Sequence, residues 1–227
     1  MHNHKNLIKH SEKYIMVMTQ IDLIKNLVNQ NLDHKKYYTD LFVFSVVDRA
    51  LKLNRGFEAL IDTKNIQCTW IISRAQIDNL ARLHGMSLDP ERASEYVKIF
   101  LDPSQKLTSF KFEKNKKMSD YYLVQMLDKT YPKRRILDNY KEFCAYAHLS
   151  EKHFLGAILS KENYNDYIEF NLSFSEDDIT IDPITYCNAQ KYQVEILLVL
   201  MEELEKYFLN REKLHQEYVV FNTIEEI

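Results

Sequence analysis

The sequence predicts a mainly α-helical protein, a single helical bundle of about seven to eight helices with a small β-hairpin near residues 167–182. Glycine and proline are scarce, with 3 and 4 among 227 residues, so few turns are available for a protein of many short strands. Apolar side chains recur at three- and four-residue spacing over long segments, which is typical of helices. No linker, repeat or low-complexity segment divides the chain. Residues 1–227 are therefore expected to form one domain, with the hairpin inserted at about 164–182.

Composition narrows the classes of function. The 30 Lys and Arg against 33 Asp and Glu leave a formal net charge of −3, which argues against a protein that coats nucleic acid by bulk charge. The 3 cysteines lie far apart with no Cys-x-x-Cys pair, which excludes a disulfide scaffold and fits a reduced cytoplasmic protein. No apolar stretch approaches the roughly 18 residues that a membrane span needs. We expect a cytoplasmic protein with no signal peptide and no membrane partner.

Apolar periodicity predicts the first three helices over 12–31, about 36–62 and about 65–83. The third is apolar on every side of its axis, which is typical of a helix buried in the middle of a bundle. His84-Gly85 is a predicted C-terminal stop for it, and Asp89-Pro90 is the predicted start of the next helix.

The second half of the chain alternates shorter helices with loops. Ser119 and Ser150 are predicted N-caps, because a serine hydroxyl can accept from a free amide of the first helical turn. A loop at 102–118 carries Phe110 and Phe112 among lysines, a mixture that single-stranded nucleic-acid binders use, although a solvated loop is the more common explanation. The predicted helices are about 90–101, 120–130, 133–147, 151–159 and 183–216.

The hairpin prediction depends on alternation. Apolar and polar residues alternate strictly from Tyr167 to Ser175, which is the pattern of a half-buried strand. The acidic run at 176–178 is the predicted turn, and residues 179–181 are the predicted returning strand.

Arg74, Asp78 and Arg82 follow one another at four-residue steps on the predicted third helix, which places them along one stripe. Buried charge is costly unless it is paired. One interpretation is a structural ladder in which Asp78 holds both arginines, with Arg49 or Glu58 from the preceding helix. The other is an anion site in which Arg74 and Arg82 bind phosphate and Asp78 sets their geometry.

A second constellation falls at a predicted helix corner that contains Tyr146, His148, Ser150 and His153. His148 ends one predicted helix and His153 lies in the first turn of the next, so the corner can bring two imidazoles together. Histidine suits general acid–base work near neutral pH, and Tyr146 is a predicted ligand contact. The alternative is that Ser150 is simply an N-cap and that the histidines satisfy backbone groups.

Several known chemistries lack their motifs. The sequence has no GxGxxG, P-loop, His-Glu-x-x-His or Gly-x-Ser-x-Gly pattern, so nucleotide-driven and α/β-hydrolase chemistry are not expected. His148 and His153 do not have the spacing of a helical metal site. No metal and no cofactor are predicted.

Two patterns, Arg74-x3-Asp78-x3-Arg82 and Tyr146-x-His148-x-Ser150-x2-His153, resemble a group of uncharacterised bacterial helical proteins often encountered among accessory or mobile genes. More loosely, a cytosolic helical domain with Arg and His near helix ends resembles the HEPN superfamily, many of whose members are ribonucleases in abortive infection and toxin–antitoxin systems. The signature of that superfamily, Arg and His separated by four to six residues, does not occur in this chain. The resemblance therefore implies that Arg74 or Arg82 meets His148 or His153 from a different helix.

Two functional hypotheses stay open. The first is a defence-associated, metal-independent ribonuclease or a phosphate-ligand-binding effector, with RNA or a nucleotide as ligand, Arg74 and Arg82 holding phosphate, and His148 or His153 moving protons. The second is a non-enzymatic helical subunit or sensor whose apolar seams mediate homo-oligomer or protein-partner assembly. The first requires arginines and histidines to converge on one open pocket, whereas the second expects separate buried pairings.

Overall fold

The computed structural model describes residues 12–31, 37–112, 116–148, 150–151, 158–172 and 182–214. Within these ranges the protein is mainly helical, with seven α-helices and two small antiparallel strand pairs, which confirms the predicted fold class. The helices are α1 Glu12–Asn31, α2 Tyr38–Asp62, α3 Ile66–Ser87, α4 Ala93–Leu101, α5 Asp120–Thr130, α6 Ile136–Ala147 and α7 Pro183–Asn210. The strands are β1 Lys111–Phe112, β2 Lys116–Lys117, β3 Ile158–Asn163 and β4 Ile168–Leu172.

Helix α3 lies at the centre of the bundle and packs against α2, α4, α5, α6 and α7. Its Ile77, Leu80 and Leu83 are buried almost completely. A helix with neighbours on every side needs apolar residues all round its axis, and this confirms the central position predicted from the sequence. Helix α1 closes the other side of the core by packing on α7, where Ile24 and Val28 are buried.

His84-Gly85 does not end α3, which continues to Ser87, so the predicted stop is wrong. A Cβ added at Gly85 would lie 2.8 Å from Leu123 Cδ2 and 2.8 Å from the Tyr96 hydroxyl oxygen. Glycine is needed here because α3 approaches α4 and α5 closely, and not because the chain turns out of the helix.

Other helix boundaries differ from the predicted ones by a turn. The predicted helix at 90–101 begins with a 3₁₀ turn over Pro90–Arg92, and α6 begins at Ile136 after a left-handed Arg135 with φ of 51°. The predicted cap at Ser119 is confirmed, because its hydroxyl accepts from the Tyr122 amide at 3.2 Å. Helix α7 ends at Asn210 rather than near residue 216.

The hairpin is present, but β4 pairs with a different strand from the one predicted. Its partner is β3, with Lys161 opposite Phe170 and Asn163 opposite Ile168. Residues 158–159, predicted as the end of a helix, therefore lie in a strand, whereas the predicted turn at 176–178 and strand at 179–181 lie outside the described residues. All described side chains from 160 to 171 are exposed, so the half-buried face predicted for β4 is wrong, and burial imposes no alternation on β3 either.

Candidate functional site

Arg74 is paired on the α6 side of α3. Its Nη1 lies 3.3 Å from Asp78 Oδ2, its Nη2 donates to the Tyr140 hydroxyl at 3.2 Å, and its Nε donates to Cys144 Sγ at 3.2 Å. The guanidinium also lies over the Tyr140 ring, 5.2 Å from its centroid. These contacts join α3 to α6, so this part of the predicted stripe is a structural pairing.

Asp78 holds only one of the two arginines. It pairs with Arg74, whereas the carboxylate that binds Arg82 belongs to Asp120 at the start of α5. The ladder with Asp78 at its centre is therefore wrong in its second half, because a four-residue step drifts by about 40° round the axis and Arg82 points towards α5. Burial raises the pKa of Asp78, and the positive charge of Arg74 opposes that rise.

Arg82 uses one edge of its guanidinium to hold Asp120. Nε donates to Oδ1 at 3.0 Å and Nη2 donates to Oδ2 at 3.2 Å, a two-point geometry that fixes the plane of the group. The guanidinium carbon lies 5.9 Å from the centroid of the Phe100 ring on α4. Arg82 is thereby placed between α3, α4 and α5 with its second Nη outside the Asp120 fork.

A cavity of about 220 Å³ lies between α2, α3 and α4, and both Arg49 and Arg82 line it. We call it the Arg49–Arg82 cavity. Asn79 also lines the cavity, and its side-chain amide donates to the Val46 carbonyl at 2.8 Å, which joins α3 to α2. The other residues that line the cavity are Leu41, Phe42, Ser45, Val46, Val97, Phe100 and Leu101.

Of the two charged residues that line this cavity, Arg49 is the one that pairs with no described side chain. Among the described side chains it makes no hydrogen bond and no ion pair. Burial lowers the pKa of Arg49, the positive charge of Arg82 lowers it further, and the carboxylates of Asp78 and Asp120 act in the opposite direction. An exposed guanidinium beside a second one, without its own carboxylate among the described residues, offers free donors to an anion.

The predicted histidine corner does not reach this cavity in the described part of the chain. His148 is exposed, directly follows α6, and makes no hydrogen bond or ion pair with Arg74 or Arg82. His153 lies outside the described residues, and Tyr146 is not among the residues that line the cavity. Ser150 donates to the Ala145 carbonyl at 2.6 Å, a contact at the end of α6.

Unlike His148, His84 has polar side chains beside both of its ring nitrogens. The sequence suggested His84 only as part of a helix stop. Its Nδ1 lies 3.0 Å from Glu203 Oε2 and its Nε2 lies 3.3 Å from the Thr130 hydroxyl. This resembles a hydroxyl–imidazole–carboxylate relay. However, the single Thr130 hydroxyl proton points to the Met126 carbonyl at 3.1 Å, so the threonine caps its own helix and the group joins α3, α5 and α7.

The loop at 102–118, considered above as a nucleic-acid binder, contributes Phe110 to the hydrophobic core. Phe110 is 3% exposed, packs edge-on against Tyr96, and lies under Arg92, whose guanidinium carbon is 4.2 Å from its centroid. A ring in this position has no face left on which a base can stack.

A second, more open cleft of about 490 Å³ lies between α6 and α7. Trp70 and Phe143 form part of its wall and stack on each other with centroids 4.7 Å apart. Two of its charged side chains are already paired, Arg135 with Asp138 and Glu195 with an arginine. The Arg49–Arg82 cavity is the stronger candidate for an anion, because its described lining has two guanidiniums and no carboxylate, whereas Glu142 and Glu195 line the cleft.

No protein-family model, no curated protein and no solved structure matches this chain. The described residues hold no group of three or more His, Cys, Asp or Glu side chains arranged for a metal ion. None of the described helices combines the length and apolar character needed to cross a membrane. The Arg49–Arg82 cavity is therefore the feature of the described structure that points to a function.

Proposed function

We propose that the protein is a helical ligand-binding module, a sensor or effector, that holds an anionic ligand bearing a phosphate or a carboxylate in the Arg49–Arg82 cavity. One observation supports it above the others. Arg49 lines a cavity beside a second guanidinium and has no carboxylate partner among the described residues. Guanidinium groups bind phosphate and carboxylate oxygens through paired, charge-assisted hydrogen bonds.

The proposal needs no catalytic group. Among the described residues, the acids that interact with these arginines, Asp78 and Asp120, are each held in an ion pair, and no described histidine lines the cavity. The ribonuclease hypothesis requires an arginine and a histidine in one pocket, and the described contacts of His148 give it less support. Anion binding by Arg49 and Arg82 is the part of the first hypothesis that the geometry favours.

Arg49→Met is expected to weaken anion binding at least tenfold. A hydrogen bond to a charged group is worth about 1.5–3 kcal/mol, which corresponds to roughly 10–150-fold in Kd. The measurement is isothermal titration calorimetry with phenyl phosphate and phenylacetate as anions. Lys52→Met is the matched control, because Lys52 is an exposed cation of the same helix that pairs with Asp48 at 2.7 Å, and it should leave both affinities unchanged.

The same variant separates binding from a structural role. Because Arg49 is exposed and has no partner among the described residues, its replacement by methionine should change the free energy of unfolding by less than about 0.5 kcal/mol. Equal affinities for wild type and a folded Arg49→Met variant would contradict the proposal. Marked destabilisation of Arg49→Met would show that Arg49 is a structural residue.

A further inference from the structure

The charges around the cavity leave one positive charge without a counterpart. Among the described residues, the local group contains three guanidiniums, Arg49, Arg74 and Arg82, and two carboxylates, Asp78 and Asp120. Arg74 pairs with Asp78 and Arg82 with Asp120, so the charge left over is that of Arg49. A ligand with a single negative charge neutralises the group, whereas a dianion would leave one negative charge over in a partly buried site.

The donors that remain suit an acceptor with two oxygens in one plane. Nε and Nη2 of Arg82 already donate to Asp120, whereas no nitrogen of the Arg49 guanidinium donates to a described residue. The Ser45 hydroxyl donates its single proton to the Leu41 carbonyl at 2.9 Å, and the Asn79 amide uses one of its two N–H groups on Val46. A carboxylate matches the Arg49 fork, with the spare Arg82 nitrogen as a third donor. A phosphate monoester can also accept from this fork, but its charge of about −1.5 to −2 at pH 7 exceeds the single positive charge left over.

The rest of the lining is apolar. Six of the residues around the cavity are aliphatic or aromatic, namely Leu41, Phe42, Val46, Val97, Phe100 and Leu101. Two of them are incompletely covered by the protein, since Phe100 is 36% and Leu101 is 54% exposed. Their surface would be removed from water by an apolar group of the ligand. A volume of about 220 Å³ lies below the roughly 300–1,000 Å³ of pockets that hold drug-sized ligands, so this group is small.

We propose that the ligand of the Arg49–Arg82 cavity is a small monoanionic carboxylate with an apolar body, such as an aryl or branched-alkyl acid. Its carboxylate lies on the fork of Arg49 beside Arg82, and its apolar body lies against Phe100 and Leu101. This inference rests on the proposed function, and it names the ligand class among the anions that the proposed function allows.

Four probes test it by calorimetry on the full chain: phenylacetate, its neutral isostere phenylacetamide, acetate and phenyl phosphate. Phenylacetate should bind at least tenfold more tightly than phenylacetamide, since only the acid engages Arg49. It should also bind roughly tenfold or more tightly than acetate, which has no apolar body, and more tightly than phenyl phosphate. Arg49→Met should abolish its advantage over phenylacetamide, and Lys52→Met should not.

The outcomes separate this inference from the proposed function. Phenyl phosphate binding more tightly than phenylacetate, with loss in Arg49→Met, would overturn the carboxylate and leave anion binding intact. Acetate binding as tightly as phenylacetate would overturn the apolar body alone. Equal binding of phenylacetate and phenylacetamide, binding that survives Arg49→Met, or no binding of any anion would overturn both proposals.

Discussion

Asp40→Asn is expected to lower the free energy of unfolding by about 3–5 kcal/mol, because it leaves a buried guanidinium without its counter-charge. Asp40 is 2% exposed and accepts two hydrogen bonds from Arg211, from Nε and Nη2, each at 2.8 Å. The Tyr207 hydroxyl and the Tyr37 amide donate to the same carboxylate, each at 2.7 Å. These hydrogen bonds join the residue after α7 to the first turn of α2. Their loss should weaken the contact between the end of α7 and the start of α2.

Urea unfolding followed by circular dichroism measures the change. Asp48→Asn on the same helix is the matched control, because Asp48 forms an exposed pair with Lys52 and its loss should change the free energy by less than about 0.5 kcal/mol. Replacing both partners, Asp40→Leu with Arg211→Met, should destabilise less than Asp40→Asn alone, since no buried charge is then left unpaired. Equal stability of Asp40→Asn and the Asp48 control would contradict this account.

Glu203→Gln is expected to lower the free energy of unfolding by on the order of 3 kcal/mol at neutral pH. It should also remove most of the decrease in that free energy which acid causes through Glu203. Glu203 is 2% exposed. Burial raises its pKa, but His84, Tyr131 and Lys206 lower it more, and the pKa of Glu203 falls to about 2. A displacement of this size from the ordinary value near 4.3 corresponds to about 3 kcal/mol.

The direction of the pH effect follows from that lowered pKa. The stabilisation from ionised Glu203 is fully present above about pH 4.5 and is lost as the pH falls towards about 2, because the unfolded chain takes up the proton first. Wild type should therefore lose stability more steeply over this range than Glu203→Gln. Glu205→Gln, an exposed acid two residues away, should keep the wild-type slope. Parallel profiles for wild type and Glu203→Gln would refute the assignment.

Much of the helical architecture could be predicted from apolar spacing alone. The helices at 12–31 and about 36–62 were predicted to within two residues, because each has a buried face with a regular period. The central position of α3 was predicted from its own apolar residues, which lie on every side of its axis. The end of α3 was predicted too early, because glycine commonly ends a helix. Gly85 instead lies inside α3, where two other helices approach closely.

The site was only partly predictable, because its parts come from helices that are distant in the sequence. The charged stripe on α3 was visible, but the partner of Arg82 is Asp120, 38 residues further on. Arg49 was suggested only as one of two residues, with Glu58, that the preceding helix could add to that ladder. A signal was nevertheless present: Phe42, Val46 and Arg49 share one face of α2, so the periodicity places a cation where an apolar residue is expected. Tertiary packing alone decides that this cation faces a cavity.

The most direct test of the central claim is a nuclear magnetic resonance measurement of the arginine side-chain Nε–H signals at mildly acidic pH, with Arg49 assigned by the loss of its peak in Arg49→Lys. Anion binding at the cavity predicts that the Arg49 signal moves and saturates as phenylacetate or phenyl phosphate is added. The Arg74 signal, whose group faces Asp78, Tyr140 and Cys144, should stay in place. An Arg49 signal that does not move while another arginine responds, or no response at saturating anion, would contradict the claim that Arg49 holds the ligand.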